Sequence, residues 1–195
     1  GNAVVEFNDN ITKYSNIKGT LQVQTNLRET VEISKENTVD VVLISEKVTK
    51  TLVVEVLGGK PLVKDGTANR VYNPEYVTWT IDVNRGLKTM PNAKLTDVIP
   101  PEMKLRPGSL KIEQLGLSMD GTVVNRTDVT GSFTLGTPNF SIDFGELKNA
   151  YQITFETDLI DDTKSTYTNT ATLTYDTNQS VTASKPITAT RGVEL

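Results

Sequence analysis

Along most of the chain, apolar and polar residues alternate in short runs, each bounded by Gly, Pro, Asn or Asp. In an extended chain successive side chains point to opposite faces, so such alternation marks strands with one buried side. The runs predict strands over residues 3–7, 20–27, 39–44 and 51–57. Gly58 and Gly59 then interrupt the pattern. A second series is predicted over 62–64, 76–84, 93–98, 109–114, 121–124, 132–135, 140–144, 151–157, 168–175 and 181–189. No stretch shows the 3.6-residue period of an amphipathic helix. The spacing predicts an all-β chain of antiparallel sandwiches with Ig-like packing. The 29 Thr and 21 Val against only 7 Ala agree, since β-branched side chains suit a pleated surface.

The Gly pair places a domain boundary near residues 57–60, dividing the chain into 1–58 and 59–195. The second part has a comfortable size for a sandwich domain. The first, with four strands in under 60 residues, would be a marginal sheet alone. It therefore reads as a sheet docked on the second part, or as the tail of a domain that begins upstream.

Phase within the strands singles out three residues. Val77, Trp79, Ile81 and Val83 share one face of their strand, and Tyr151, Ile153 and Phe155 share one face of theirs. Elsewhere a polar residue sits on the apolar phase: Lys64 with Leu62, Asp97 with Ala93 and Leu95, and Asn169 with Ala171 and Leu173. Burial favours the neutral form of an ammonium or a carboxylate. A neutral Lys is a nucleophile, a protonated Asp can polarise an amide oxygen, and an Asn side chain is an electrophile. The three together could form a Lys64–Asn169 isopeptide bond with loss of ammonia, Asp97 relaying the protons. The same pattern also fits strand ends that reach solvent and carry solvated polar groups.

Composition narrows the remaining chemistry. There is no Cys and no His, which removes disulfides, thiolate nucleophiles, imidazole bases and the usual zinc sites. A net charge of −4 argues against a nucleic-acid partner. No apolar run is long enough to span a membrane.

Four segments carry a family resemblance. Residues 72–84, Tyr-Asn-Pro-Glu-Tyr-Val-Thr-Trp-Thr-Ile-Asp-Val-Asn, resemble the "I-x-W-x-I-x-V-N" strand of collagen-adhesin-like (MSCRAMM) domains of Gram-positive cell-wall-anchored proteins. Residues 95–100 resemble that family's "v-x-D-x-l-P" segment, 151–157 its "Y-x-I-x-Y-x-T", and 167–173 its "Y-x-N-x-A-x-L". Upstream, residues 3–7 and 16–21 are similar to the second half of the preceding Ig-like domain in the family. The resemblance implies an Ig-like (DEv-IgG-type) antiparallel sandwich over 59–195, preceded by the C-terminal part of a first Ig-like domain over 1–58. It implies an adhesin rather than an enzyme, on the surface of a Gram-positive bacterium, taking a host extracellular-matrix protein or other surface ligand and no cofactor. It also places the family's internal crosslink on Lys64, Asp97 and Asn169, with Lys60 as the competing lysine. The outward positions of the Trp strand, bulky in the collagen binders, are here Thr78, Thr80 and Asp82.

Other constellations are thinner. Asp158, Asp161 and Asp162 could offer oxygens to Ca²⁺ but lack the spacing and Gly of an EF-hand loop. Asp82, Asp97, Asp143 and Glu156 are the carboxylates from which a glycosidase pair would have to come. Three function classes follow: an adhesin module, a structural stalk module with the same crosslink but no ligand, and a carbohydrate-active domain.

Overall fold

The computed structural model describes residues 38–43, 48–53, 56, 58–135 and 139–192, with β1 at Thr38–Leu43 and β2 at Val48–Val53. These two strands form an antiparallel ladder of their own. The expected strands over 3–7 and 20–27 lie outside the described residues. The expected 51–57 run begins inside β2, and its residues 54, 55 and 57 lie outside the described residues.

From residue 62 onward the chain is a two-sheet sandwich. One sheet holds β3 (Leu62–Ala68), β4 (Tyr76–Val83), β10 (Ala150–Leu159), β7 (Lys111–Leu117) and β8 (Val123–Asp128) in that order, and β6 (Met103–Leu105) also pairs with β10. The other holds β12 (Gln179–Thr188), β11 (Thr166–Tyr175), β5 (Met90–Val98) and β9 (Phe140–Leu147). Every ladder between these strands is antiparallel, and the isolated bridge between Tyr72 and Thr190 is parallel. The alternation sets the inner faces: β4 buries Val77, Trp79, Ile81 and Val83, and β11 buries Tyr167, Asn169, Ala171 and Leu173. Phe140 of β9 meets Phe155 of β10 edge-on between the sheets, with ring centroids 4.9 Å apart.

Two elements depart from the sequence reading. The expected strand over 132–135 is absent; a 3-10 turn occupies Thr130–Ser132 instead. The Asp128 carboxylate accepts hydrogen bonds from both the Thr130 N–H and its hydroxyl, at 2.9 and 2.7 Å, and this side-chain turn ends β8. The Thr130 hydroxyl in turn accepts from Ile112 N at 2.9 Å. The second departure is β6, only three residues long and flanked by Pro100, Pro101 and Pro107, which exists through its ladder to 157–159 of β10.

At the pole where the chain enters, Val56 is buried against Leu87, Leu115, Leu117 and Ala150. Val56 N donates to Gly86 O at 2.9 Å. A Cβ on Gly59 would stand 2.4 Å from Gly86 N, so the backbones meet there at a distance only Gly permits. At the opposite pole Asn73 clasps the outgoing chain: its amide donates to Gly192 O at 2.8 Å and accepts from Gly192 N at 3.1 Å. β3 and β12 flank the seam between the sheets, joined by the Lys185–Asp65 ion pair at 2.8 Å.

Candidate functional site

The three residues singled out by phase come together inside the sandwich. β3 supplies Lys64 from one sheet, and β5 and β11 supply Asp97 and Asn169 from the other. The register aligns them: Ala171, two residues from Asn169 on the same face, sits opposite Asp97. Lys64 Nζ donates to Asp97 Oδ2 at 2.7 Å, and both side chains are fully buried. Nζ also lies 5.1 Å from the centroid of Trp79 and 4.9 Å from that of Phe155. The competing Lys60 is exposed, and its carbonyl accepts from Arg85 N at 3.1 Å.

Burial pulls the Lys64 ammonium below its ordinary pKa, against the opposing pull of the Asp97 charge and hydrogen bond. Burial pushes Asp97 up, and Lys64 and the Asn169 amide each oppose it. Burial thus favours the neutral form of each group, and the 2.7 Å contact is the path along which a proton would pass between them.

Asn169 has no accessible surface. Its Oδ1 accepts from the backbone N–H of Thr170 at 2.7 Å. Its Nδ2 makes no hydrogen bond of ordinary geometry, and neither does Asp97 Oδ1, although the amide stands close enough to the Asp97 carboxyl to hold its pKa down. A buried donor and a buried acceptor left open within one cluster are costly. The amide oxygen thus accepts from a backbone N–H, a donor that the sequence reading does not name.

Two further members went unnoticed in the sequence. Thr157 Oγ1 accepts the indole N–H of Trp79 at 2.8 Å and so satisfies the one polar atom of the ring. Its signal was present, because Thr157 continues the buried phase of Ile153 and Phe155. The Thr170 N–H had no signal, since every residue but Pro offers one.

The other candidate residues are dispersed. Asp82 and Glu156 lie on the outer face of one sheet, bonded to Gln152 at 2.8 Å and Arg106 at 2.9 Å respectively. Asp143 is exposed on β9, and Asp97 is in the core. Asp97 in the core and Asp143 on the other sheet are thus kept apart from Asp82 and Glu156, unlike the facing pair of a glycosidase. Asp158 pairs with Arg106 at 2.7 Å, and Asp161 accepts from the Thr163 N–H and hydroxyl. Among the described residues, no group of three or more acidic side chains could hold a metal. On the outer face of β3 and β4 there is a shallow cavity of about 320 Å³, lined by Val63, Asp65 and Thr67 on one strand and Thr78, Thr80 and Asp82 on the other.

Two antiparallel sheets closed over this core define an Ig-like β-sandwich of the collagen-adhesin type. The chain belongs to the collagen binding domain family, whose model matches residues 60–184. Among solved structures, it is similar to the collagen-binding domain of a Staphylococcus aureus adhesin at 13% identity and a TM-score of 0.50, over 67% of this chain and 99% of that one. It is also similar to the Enterococcus faecalis MSCRAMM ACE, described as binding its ligands by a collagen hug, at 11% identity and a TM-score of 0.52, over 82% of this chain and 62% of that one. No curated protein sequence matches the chain.

Proposed function

We propose that this chain is the adhesive part of a Gram-positive, cell-wall-anchored surface protein. In this reading residues 59–195 form a ligand-presenting sandwich. The ligand is an extracellular-matrix protein or another surface molecule, and the outer face of β3 and β4 is where the cavity invites it. No turnover of an external substrate is involved.

The sandwich is stiffened by an isopeptide bond between Lys64 and Asn169. The observation that carries this is the buried Lys64–Asp97 contact at 2.7 Å with the Asn169 amide beside Asp97, its Nδ2 in no well-formed hydrogen bond. Transfer of a proton from Lys64 to Asp97 frees an amine that attacks Cγ of Asn169. The Nζ–Cγ bond forms, the Cγ–Nδ2 bond breaks, and Asp97 passes protons to the departing ammonia. Losing ammonia removes the open donor and turns two buried polar groups into one amide. The bond closes a loop of about 100 residues, which in the chain-entropy account of crosslinks stabilises by roughly 4–5 kcal/mol.

Intact-protein mass spectrometry tests it. The folded chain is expected to be lighter than its sequence mass by one ammonia, and Asp97→Ala to restore the full mass and lower the melting temperature. A wild-type mass equal to the sequence value rules the bond out. Adhesion is tested separately, by screening the chain against immobilised matrix proteins. Ligands lost on changing Thr80 or Asp82 support the β3–β4 face. A crosslinked protein that captures nothing is a stalk module.

A further inference from the structure

The geometry points to the backbone N–H of Thr170 as the oxyanion donor of the crosslinking reaction. This inference rests on the Lys64–Asn169 bond proposed above and names the group that makes Asn169 an electrophile.

An amide carbon resists attack because charge must build on its oxygen. Donors already aimed at that oxygen, in a site without water, are among the largest contributors to such reactions. Asn169 Oδ1 has one donor, Thr170 N, at 2.7 Å, within the 2.7–3.1 Å range such donors occupy. The Asn169 side chain has no accessible surface, so water does not share the oxygen. The ladder between β11 and β5 begins at Thr170, opposite Val98, and residues 166–169 pair with β12 alone. The Asn169 side chain thus lies just where the β5 ladder stops and folds back onto the next N–H of its own strand.

This frees Asp97 for proton transfer alone. Its Oδ2 already holds the Lys64 ammonium, and the carboxyl lies beside the Asn169 amide, with Oδ1 in no well-formed hydrogen bond. The sequence of events balances without a co-reactant. Asp97 takes one proton from the Lys64 ammonium, and the neutral Nζ attacks Cγ. The electron pair of the C=O bond moves to Oδ1, against the Thr170 N–H. Asp97 gives its proton to Nδ2, the carbonyl re-forms, and ammonia leaves. Asp97 then takes the surplus proton from the new amide nitrogen and ends neutral beside it.

The experiment removes that N–H and nothing else from the side chains. Thr170 is replaced by its α-hydroxy analogue through nonsense suppression, which turns the peptide bond between 169 and 170 into an ester. The same replacement at Thr172, on the same strand and the same outward phase, controls for the ester itself. Each protein is isolated unfolded, refolded, and followed by intact mass against time, with tryptophan fluorescence reporting that the core has formed. The Thr170 ester is expected to lose ammonia about a hundredfold more slowly than wild type, the scale for one oxyanion donor. The Thr172 ester is expected to keep the wild-type rate. Equal rates for the Thr170 ester and wild type overturn the inference while leaving the bond. A wild type that never loses ammonia overturns the bond and the inference together. If the Thr170 ester does not fold, Lys64→Met, which cannot react, serves instead. A scalar coupling across the hydrogen bond, from Thr170 nitrogen to Asn169 Cγ, is expected in its NMR spectrum, and its absence from the folded protein overturns the inference.

Discussion

Trp79 shows how one side chain can organise a core. It sits at the middle of β4 with no exposed surface, and Thr157 satisfies its N–H. Gly66 of the neighbouring strand lies directly over the ring, where an added Cβ would stand 2.6 Å from Trp79 Cε3. The ring and the absent side chain are thus one packing unit. Trp79→Ala is expected to cost about 3–5 kcal/mol in denaturant unfolding. Gly66→Ala is expected to cost roughly 1–3 kcal/mol through overpacking. Native fluorescence should be blue-shifted and shielded from acrylamide; a red-shifted, freely quenched signal would contradict the burial.

At the scale of elements, the turns carry much of the specification. The hairpin joining β7 to β8 is closed by Asp120, whose carboxylate accepts from the Ser118 hydroxyl and from Thr122 N at 2.9 Å. Those bonds, the Ser118 hydroxyl foremost, hold its pKa down from 3.8 to about 2. A carboxylate with a depressed folded pKa contributes stability that is present above its unfolded value and lost as pH falls through the folded one. Asp120→Asn is therefore expected to flatten the loss of stability between pH 3.8 and about 2, read as the urea midpoint at each pH. An unchanged acid limb would show that the turn persists in the unfolded chain. The Asn73 clasp on Gly192 is reinforced by Arg191, which donates to the Pro74 carbonyl at 3.2 Å and to the Tyr167 hydroxyl at 2.6 Å. Tyr167 donates its own O–H to the Asp161 carbonyl, so the outgoing chain, the 69–75 loop and the 160–165 loop form one assembly.

For the molecule as a whole, the proposed adhesive role turns on the outer face of the Trp strand. Thr78, Thr80 and Asp82 leave this face shallow and partly acidic, with Asp82 held by Gln152 and Arg85. A triple helix would meet few bulky side chains there. This chain is expected to bind triple-helical collagen weakly or not at all in surface plasmon resonance. Saturable binding that is lost on Thr80→Ala or Asp82→Ala would reverse that expectation.

What the sequence determined by itself was whatever depends on the period of two. Alternation put Trp79 inside, gave β4, β10 and β11 their faces, and set Lys64, Asp97 and Asn169 on buried phases. Phase is a local property, fixed as soon as a residue is in a strand. It could not tell that three buried phases meet at one point, because that depends on the register between strands far apart in the chain. Nor could it find β6, whose three residues are a strand only because β10 offers a ladder. The 132–135 run misled for the opposite reason: its apolar residues are real, but Asp128 had already turned the chain, and Phe133 packs edge-on against Phe144 at 5.5 Å from outside any strand. The donor on Asn169 was hidden most completely. A backbone N–H has no letter in the sequence, and only the end of the β5 ladder at Thr170 decided where it points.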